Sequence, residues 1–127
     1  MLDDNFNLKI VDFGYAQNYT KGQKMHDNIV GTDTYMAPEL FRNEEYELEK
    51  VDVFACGVIL FCMHYGMPPY LRKAVRKDPY YKFFAEGRQH VFWKAMKNKM
   101  KFEISENFEN LINGMLNDNP EERLSID

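Results

Sequence analysis

The residue best placed to do chemistry is Asp12, a carboxylate set directly after the apolar run Leu8-Lys9-Ile10-Val11 and followed by Phe13-Gly14. A carboxylate at such a spot either caps a turn or offers its oxygens to a hard cation. Thr32 places a hydroxyl in the stretch Gly31-Thr32-Asp33-Thr34-Tyr35-Met36-Ala37-Pro38-Glu39, where a loop threonine can also cap its own backbone. Asp52 opens the apolar run Val51 to Tyr65, a costly place for a carboxylate unless it is hydrogen-bonded or faces the free amides of a helix start. Glu39 and Arg123 are opposite charges far apart in the chain. His26, His64 and His90 are scattered, and no cysteine or histidine pair has metal-ligand spacing.

The elements that must position these groups follow from local pattern. Asp3-Asp4-Asn5-Phe6-Asn7 is a polar turn between Met1-Leu2 and Leu8 to Val11, which predicts a small N-terminal hairpin delivering Asp12 to a strand end. Tyr15 to Ile29 has no regular apolar period and reads as a loop. Pro38 suits the first turn of a short helix ending near Arg42. Val51 to Tyr65 is apolar nearly all round, which predicts a helix surrounded by protein, stopped by Gly66 and Pro68-Pro69. Asp78-Pro79 is expected to cap an aromatic helix carrying Tyr80, Tyr81, Phe83 and Phe84 and ending at Gly87. Two amphipathic helices follow, one with Val91, Phe92, Trp93 and Met96, the other from Ser105 to Leu116 with Phe108, Leu111, Ile112 and Met115 on one stripe. The fold class expected is mainly α.

Read together and in order, Asp12-Phe13-Gly14, Gly31 to Glu39, Asp52-Val53-Phe54-Ala55-Cys56-Gly57-Val58-Ile59-Leu60-Phe61, Gly66-Met67-Pro68-Pro69-Tyr70 and Asn119-Pro120-Glu121-Glu122-Arg123 resemble the eukaryotic protein kinase family. The resemblance covers essentially the whole chain, loosely over Tyr15 to Ile29 and Leu71 to Ile104. It implies one partial kinase domain, a C-lobe with residues 12–39 as activation segment and the buried central helix at about residues 51–65.

The resemblance also assigns roles. Phosphoryl transfer develops charge on phosphate oxygens, and the Mg²⁺ that bridges them must be held at a fixed spot, a task it gives to Asp12. ATP and Mg²⁺ are the implied cofactors. Phe13 would pack inward, and Gly14 would let the chain turn without a clash. Gly31-Thr32 resembles the serine/threonine type, whose threonine stands near the catalytic aspartate and lysine, so the implied substrate is a serine or threonine hydroxyl of a protein. Glu39 and Arg123 would form a buried ion pair, and Asp52 would accept hydrogen bonds from the catalytic loop. The usual activating phosphorylation would fall on Asn28, which has no hydroxyl; the expectation is a loop not switched there, with Asp27 supplying permanent charge and Thr20 a distant acceptor.

Composition narrows the remaining options. At 127 residues there is room for one domain, and 45% hydrophobic with 15% aromatic residues excludes a disordered tail. A net charge of −4 gives no footprint for nucleic acid. Lys94 to Lys101 is expected to be a solvated helix face. The run Val51 to Tyr65 falls short of the roughly 20 residues that span a bilayer, so no membrane partner is expected. Cys56 and Cys62 lie about 120° apart around one helix axis and should remain unbridged core thiols in a reducing, cytosolic setting. Oligomeric state is left open.

A glycine-rich loop, its strand lysine, an aspartate base and the second metal-binding asparagine do not occur among these residues. The expectation is therefore a C-lobe piece that does not catalyse alone and that, without the parts that would surround the Val51 to Tyr65 helix, leaves apolar surface of that helix exposed. The competing expectation is a kinase-like binding or scaffold module.

Overall fold

A computed structural model describes residues 1–26, 29–99 and 103–126. The elements are β1 (Lys24–Met25), α1 (Pro38–Arg42), β2 (Tyr46–Glu47), α2 (Leu48–Tyr65), α3 (Lys82–Ala85), α4 (Gln89–Lys99) and α5 (Glu106–Met115), with a 3₁₀ turn at Asp33–Tyr35. The chain is mainly helical, as expected.

Local chemistry sets the helix limits. Pro38 occupies the first turn of α1, where its missing amide costs nothing, and Asn43 closes the helix in the left-handed region at φ 56°. Gly66, at φ 71°, ends α2, and its amide donates to the Cys62 carbonyl at 2.8 Å. The Ser105 hydroxyl caps α5 by accepting from the Phe108 amide at 3.2 Å.

The core lies where α2 meets α5 and the aromatic side chains of the 70–96 segment. Phe54, Val58 and Phe61 of α2 are fully buried against Tyr81, Phe84, Phe92, Ile112 and Leu116. Gly57 is what brings the two helices close: a Cβ there would stand 2.8 Å from Met115 Cβ and 3.0 Å from a Leu116 methyl. The Trp93 indole donates to Asn113 Oδ1 at 2.8 Å and fastens α4 to α5.

Several details differ from the expectations. The helix α2 is covered on one side only: Asp52, Cys56, Ile59 and Met63, which share a stripe, are exposed, because α5 and the aromatic cluster occupy just the opposite face. Cys56 is thus a surface thiol, while Cys62 is half-buried and burial pushes its thiol up; both are free. The N-terminal hairpin is reduced to a bridge between Leu2 and Leu8, supported by the Lys9 amide donating to the Met1 carbonyl at 2.8 Å. The expected strand over Leu8 to Val11 goes no further. In the loop Tyr15 to Ile29, β1 instead pairs antiparallel with β2, Lys24 opposite Glu47 and Met25 opposite Tyr46.

The helix expected from Asp78 is also shorter. Asp78 is buried, its Oδ1 accepts from the amides of Tyr80 and Tyr81 at 2.9 and 3.0 Å, and its Oδ2 reaches back to the Leu71 amide at 2.9 Å. That last bond folds residues 71–78 into a turn-rich loop, and the helix α3 itself begins only at Lys82. Leu111 departs from the expected stripe, being 43% exposed while Ile112 is fully buried.

Candidate functional site

Asp12 has φ 64°, a left-handed conformation that aspartate tolerates better than most residues. Its carboxylate is exposed, and its one hydrogen bond among the described residues is a long one, from the Gly14 amide at 3.4 Å. Gly14 lies outside the positive-φ region, so the turn is made at Asp12 and not at the glycine. Phe13 does not pack inward. It is 70% exposed, because every residue from 1 to 24 except Asp3 is exposed and no core surface of the described residues reaches this segment.

Thr32 precedes the 3₁₀ turn, with its carbonyl accepting from the Tyr35 amide at 2.9 Å and no capping bond from its side chain. The hydroxyl is therefore uncommitted among the described residues. The turn is held from outside: the buried Tyr70 phenol donates to the Thr34 carbonyl at 2.6 Å, and Lys73 pairs with Asp33 at 2.9 Å. Burial drives the Tyr70 hydroxyl far above its ordinary range, so it acts as a donor at any ordinary pH. Thr32, Asp52 and Tyr15 line one cavity of about 240 Å³. The carboxylate of Asp52, on the first turns of α2, makes no hydrogen bond among the described residues, and partial desolvation raises it above the usual range although the residue is exposed.

Glu39 and Arg123 meet at the far end of the segment. Arg123 Nη1 donates to Glu39 Oε1 at 2.7 Å and Nη2 to Oε2 at 2.8 Å, with both side chains fully buried. The guanidinium is further satisfied by the carbonyls of Lys50 and Asn117, at 2.8 and 3.1 Å, and stands 5.0 Å above the Phe54 ring. Four of its five N–H donors are used, in a planar fork that lysine could not copy.

The structure thus joins Glu39 to Arg123 and places Thr32 beside Asp52, while Asp12, Phe13 and Gly14 stand apart on an exposed segment. Asp27 and Asn28, on which the switching expectation rests, lie outside the described residues. Among the described residues no group of three or more histidine, cysteine, aspartate or glutamate side chains could hold a metal ion. No helix among them is long and apolar enough to cross a membrane.

The family model described as protein kinase domain matches residues 1–127. This chain belongs to the protein kinase family. Over 129 aligned residues it is 36% identical to Calcium-dependent protein kinase 26 of Arabidopsis thaliana and to Calcium-dependent protein kinase 5 of Oryza sativa subsp. japonica, in each case over 97% of this chain. It is 33% identical to the Serine/threonine-protein kinase SIK3 homolog of Danio rerio over all of its length. The chain spans 23%, 21% and 10% of those three relatives. The mainly helical architecture agrees with a partial kinase C-lobe.

Some supporting residues of this kinase chain escaped the sequence reading. Asp118 accepts from Arg42 Nη1 at 3.0 and 3.1 Å and from the Tyr81 hydroxyl at 3.0 Å, tying α1 to the turns on either side of it. No local signal marks that triad, since its members are dispersed along the chain. Tyr70 sits inside a motif that was read, and a phenol after two prolines was the available hint of an anchored turn.

Proposed function

We propose that these residues form the metal- and substrate-facing part of a protein serine/threonine kinase, which transfers the ATP γ-phosphoryl group to a serine or threonine hydroxyl of a protein substrate. One observation carries the reading: the buried Glu39–Arg123 pair locks one end of the 12–39 segment to the helical core, while among the described residues the exposed Asp12 carboxylate has only the long bond from the Gly14 amide and the exposed Thr32 hydroxyl is uncommitted. Relatives named as calcium-dependent and serine/threonine kinases support it.

Asp12 suits Mg²⁺, which is held by one or two carboxylates plus water and phosphate oxygens, and among the described residues no cation pairs with its oxygens. Bound there, Mg²⁺ would neutralise charge on the phosphate oxygens. Thr32 would hold the acceptor side by hydrogen bonding near the base, with Tyr70 and Lys73 fixing the turn that carries it. In the reaction the bond from the γ-phosphorus to the bridging oxygen breaks, a bond to the substrate hydroxyl oxygen forms, and the hydroxyl proton goes to an aspartate base. That base and the nucleotide-gripping lysine are assigned to residues other than these, so the chain alone would transfer no phosphate.

The test joins the chain to the nucleotide-binding lobe and catalytic loop of a calcium-dependent protein kinase and follows labelled γ-phosphate onto serine, threonine and tyrosine peptides. Label on serine or threonine alone is expected. Label on tyrosine, or none on any peptide from a folded protein that binds ATP, would overturn the proposal, the second result favouring a binding module.

A further inference from the structure

A cavity of about 370 Å³ opens between α1 and the loop of residues 71–78, floored by Pro38, Phe41, Ala74 and Val75. Its rim is cationic: Arg42, Arg76 and Lys77 face it, with Asp118 the one carboxylate among its lining residues. Asp118 is already committed to Arg42 and to the Tyr81 hydroxyl, and Arg42 has a second carboxylate in Glu44 at 2.8 Å. Arg76 reaches Asp118 only at 4.0 Å and keeps 73% of its side chain exposed. Arg72 and Lys77 make no ion pair among the described residues. A chain of net charge −4 therefore concentrates Arg72, Lys73, Arg76 and Lys77 in one short loop beside an apolar hollow, with Lys73 paired to Asp33, Arg76 only loosely paired, and Arg72 and Lys77 without an ion pair among the described residues.

We propose that this groove docks an acidic peptide segment of a protein partner, with one apolar side chain seated between Phe41 and Val75 and flanking carboxylates against Arg76 and Lys77. The charge on the rim selects the sign of the partner, and the apolar floor requires an anchor that a sugar-phosphate chain does not carry. Electrostatics of this kind act mainly on encounter and selectivity and weaken with salt, while the seated side chain supplies the desolvated contact. The inference uses only the surface between α1 and residues 71–78 and does not rest on the phosphotransfer reading.

The experiment titrates the full chain into a fluorescein-labelled peptide with a central leucine flanked by aspartates and reads anisotropy. Saturable binding is expected, falling with salt and weakened about tenfold or more by the double change Arg76→Glu and Lys77→Glu. Both side chains are exposed, and circular dichroism of the variant checks that its fold is unchanged. Replacing the peptide's leucine by serine should weaken binding comparably. The proposal is overturned by absent binding to the folded chain, by equal binding of the charge-reversed variant, or by equal binding of a lysine-flanked peptide. Preference for a labelled single-stranded oligonucleotide, or self-association in sedimentation abolished by the same variant, would overturn it in favour of nucleic acid or a second copy.

Discussion

Arg123 and Glu39, separated by 84 residues in the chain, face each other through two parallel hydrogen bonds of 2.7 and 2.8 Å in a site with no solvent access. A buried pair of this kind is weak evidence for net stabilisation, because desolvating both charges offsets much of their attraction. Breaking it is another matter. Glu39→Gln strands a guanidinium among Phe54 and backbone carbonyls, and urea denaturation of the full chain should show a loss of about 3–5 kcal/mol. A loss under about 1 kcal/mol would mean that the carbonyls of Lys50 and Asn117 suffice for Arg123.

Gly57 and Gly114 make a contrast between crowding against a Cβ that cannot turn away and crowding against a half-exposed side chain that can. Gly57→Ala drives a methyl into Met115 Cβ and Leu116 in the core and should cost about 1–3 kcal/mol. Gly114→Ala meets only the Leu124 side chain, at 2.7 Å, and Leu124 is 43% exposed and able to turn away. Thermal unfolding of both variants should therefore give a clearly lower midpoint for Gly57→Ala. Equal midpoints would contradict the close approach of α2 and α5.

The pH dependence of the β1 anchor follows from Lys24, which pairs with Glu47 at 2.8 Å and Glu121 at 3.0 Å. Hydrogen bonding to Glu47 and then Glu121 raises the lysine above its ordinary 10.5, and the bond from Lys24 lowers Glu121 below its ordinary 4.5. A raised lysine contributes stability that is complete below its unfolded value and disappears as pH rises through the folded one. A lowered carboxyl contributes above its unfolded value and loses that contribution as pH falls through the folded one. Both groups are solvent-exposed, so the effect is small. The difference in stability between the chain and its Lys24→Met variant should be flat across the neutral range and shrink at both extremes. A difference peaking at acid pH would contradict the pairing.

Thr32→Val keeps the size of the side chain and removes its uncommitted hydroxyl. In the joined kinase described above, this change should lower kcat by roughly a hundredfold through misplacement of the acceptor, with nucleotide KM little altered. An unchanged kcat would reduce Thr32 to a loop residue.

Much of the fold was legible because its punctuation is local. Pro38, Gly66 and Ser105 act within a turn of their own position, and the 3.6-residue apolar period of α4 and α5 needs no knowledge of distant partners. The pairing of β1 with β2 was not legible, since each strand has two residues and owes its existence to Lys24 meeting Glu47 across the intervening chain. The three-way bonding of Asp78 was half legible: its cap on Tyr80 and Tyr81 is local, and its reach back to Leu71 is not. In the candidate site, motif order singled out Glu39 and Arg123, whereas the inward Phe13 was expected from resemblance and lacks a surface to pack on. The cationic loop of residues 72–77 showed its charge in sequence but not the cavity beside it.

Whether the Asp12 carboxylate holds the metal for phosphoryl transfer is decided by the steady-state turnover of the joined kinase carrying Asp12→Ala, with a serine peptide and saturating Mg²⁺ and ATP. A fall in kcat on the order of a thousandfold at unchanged peptide KM is expected. Turnover equal to that of the unaltered enzyme would contradict it.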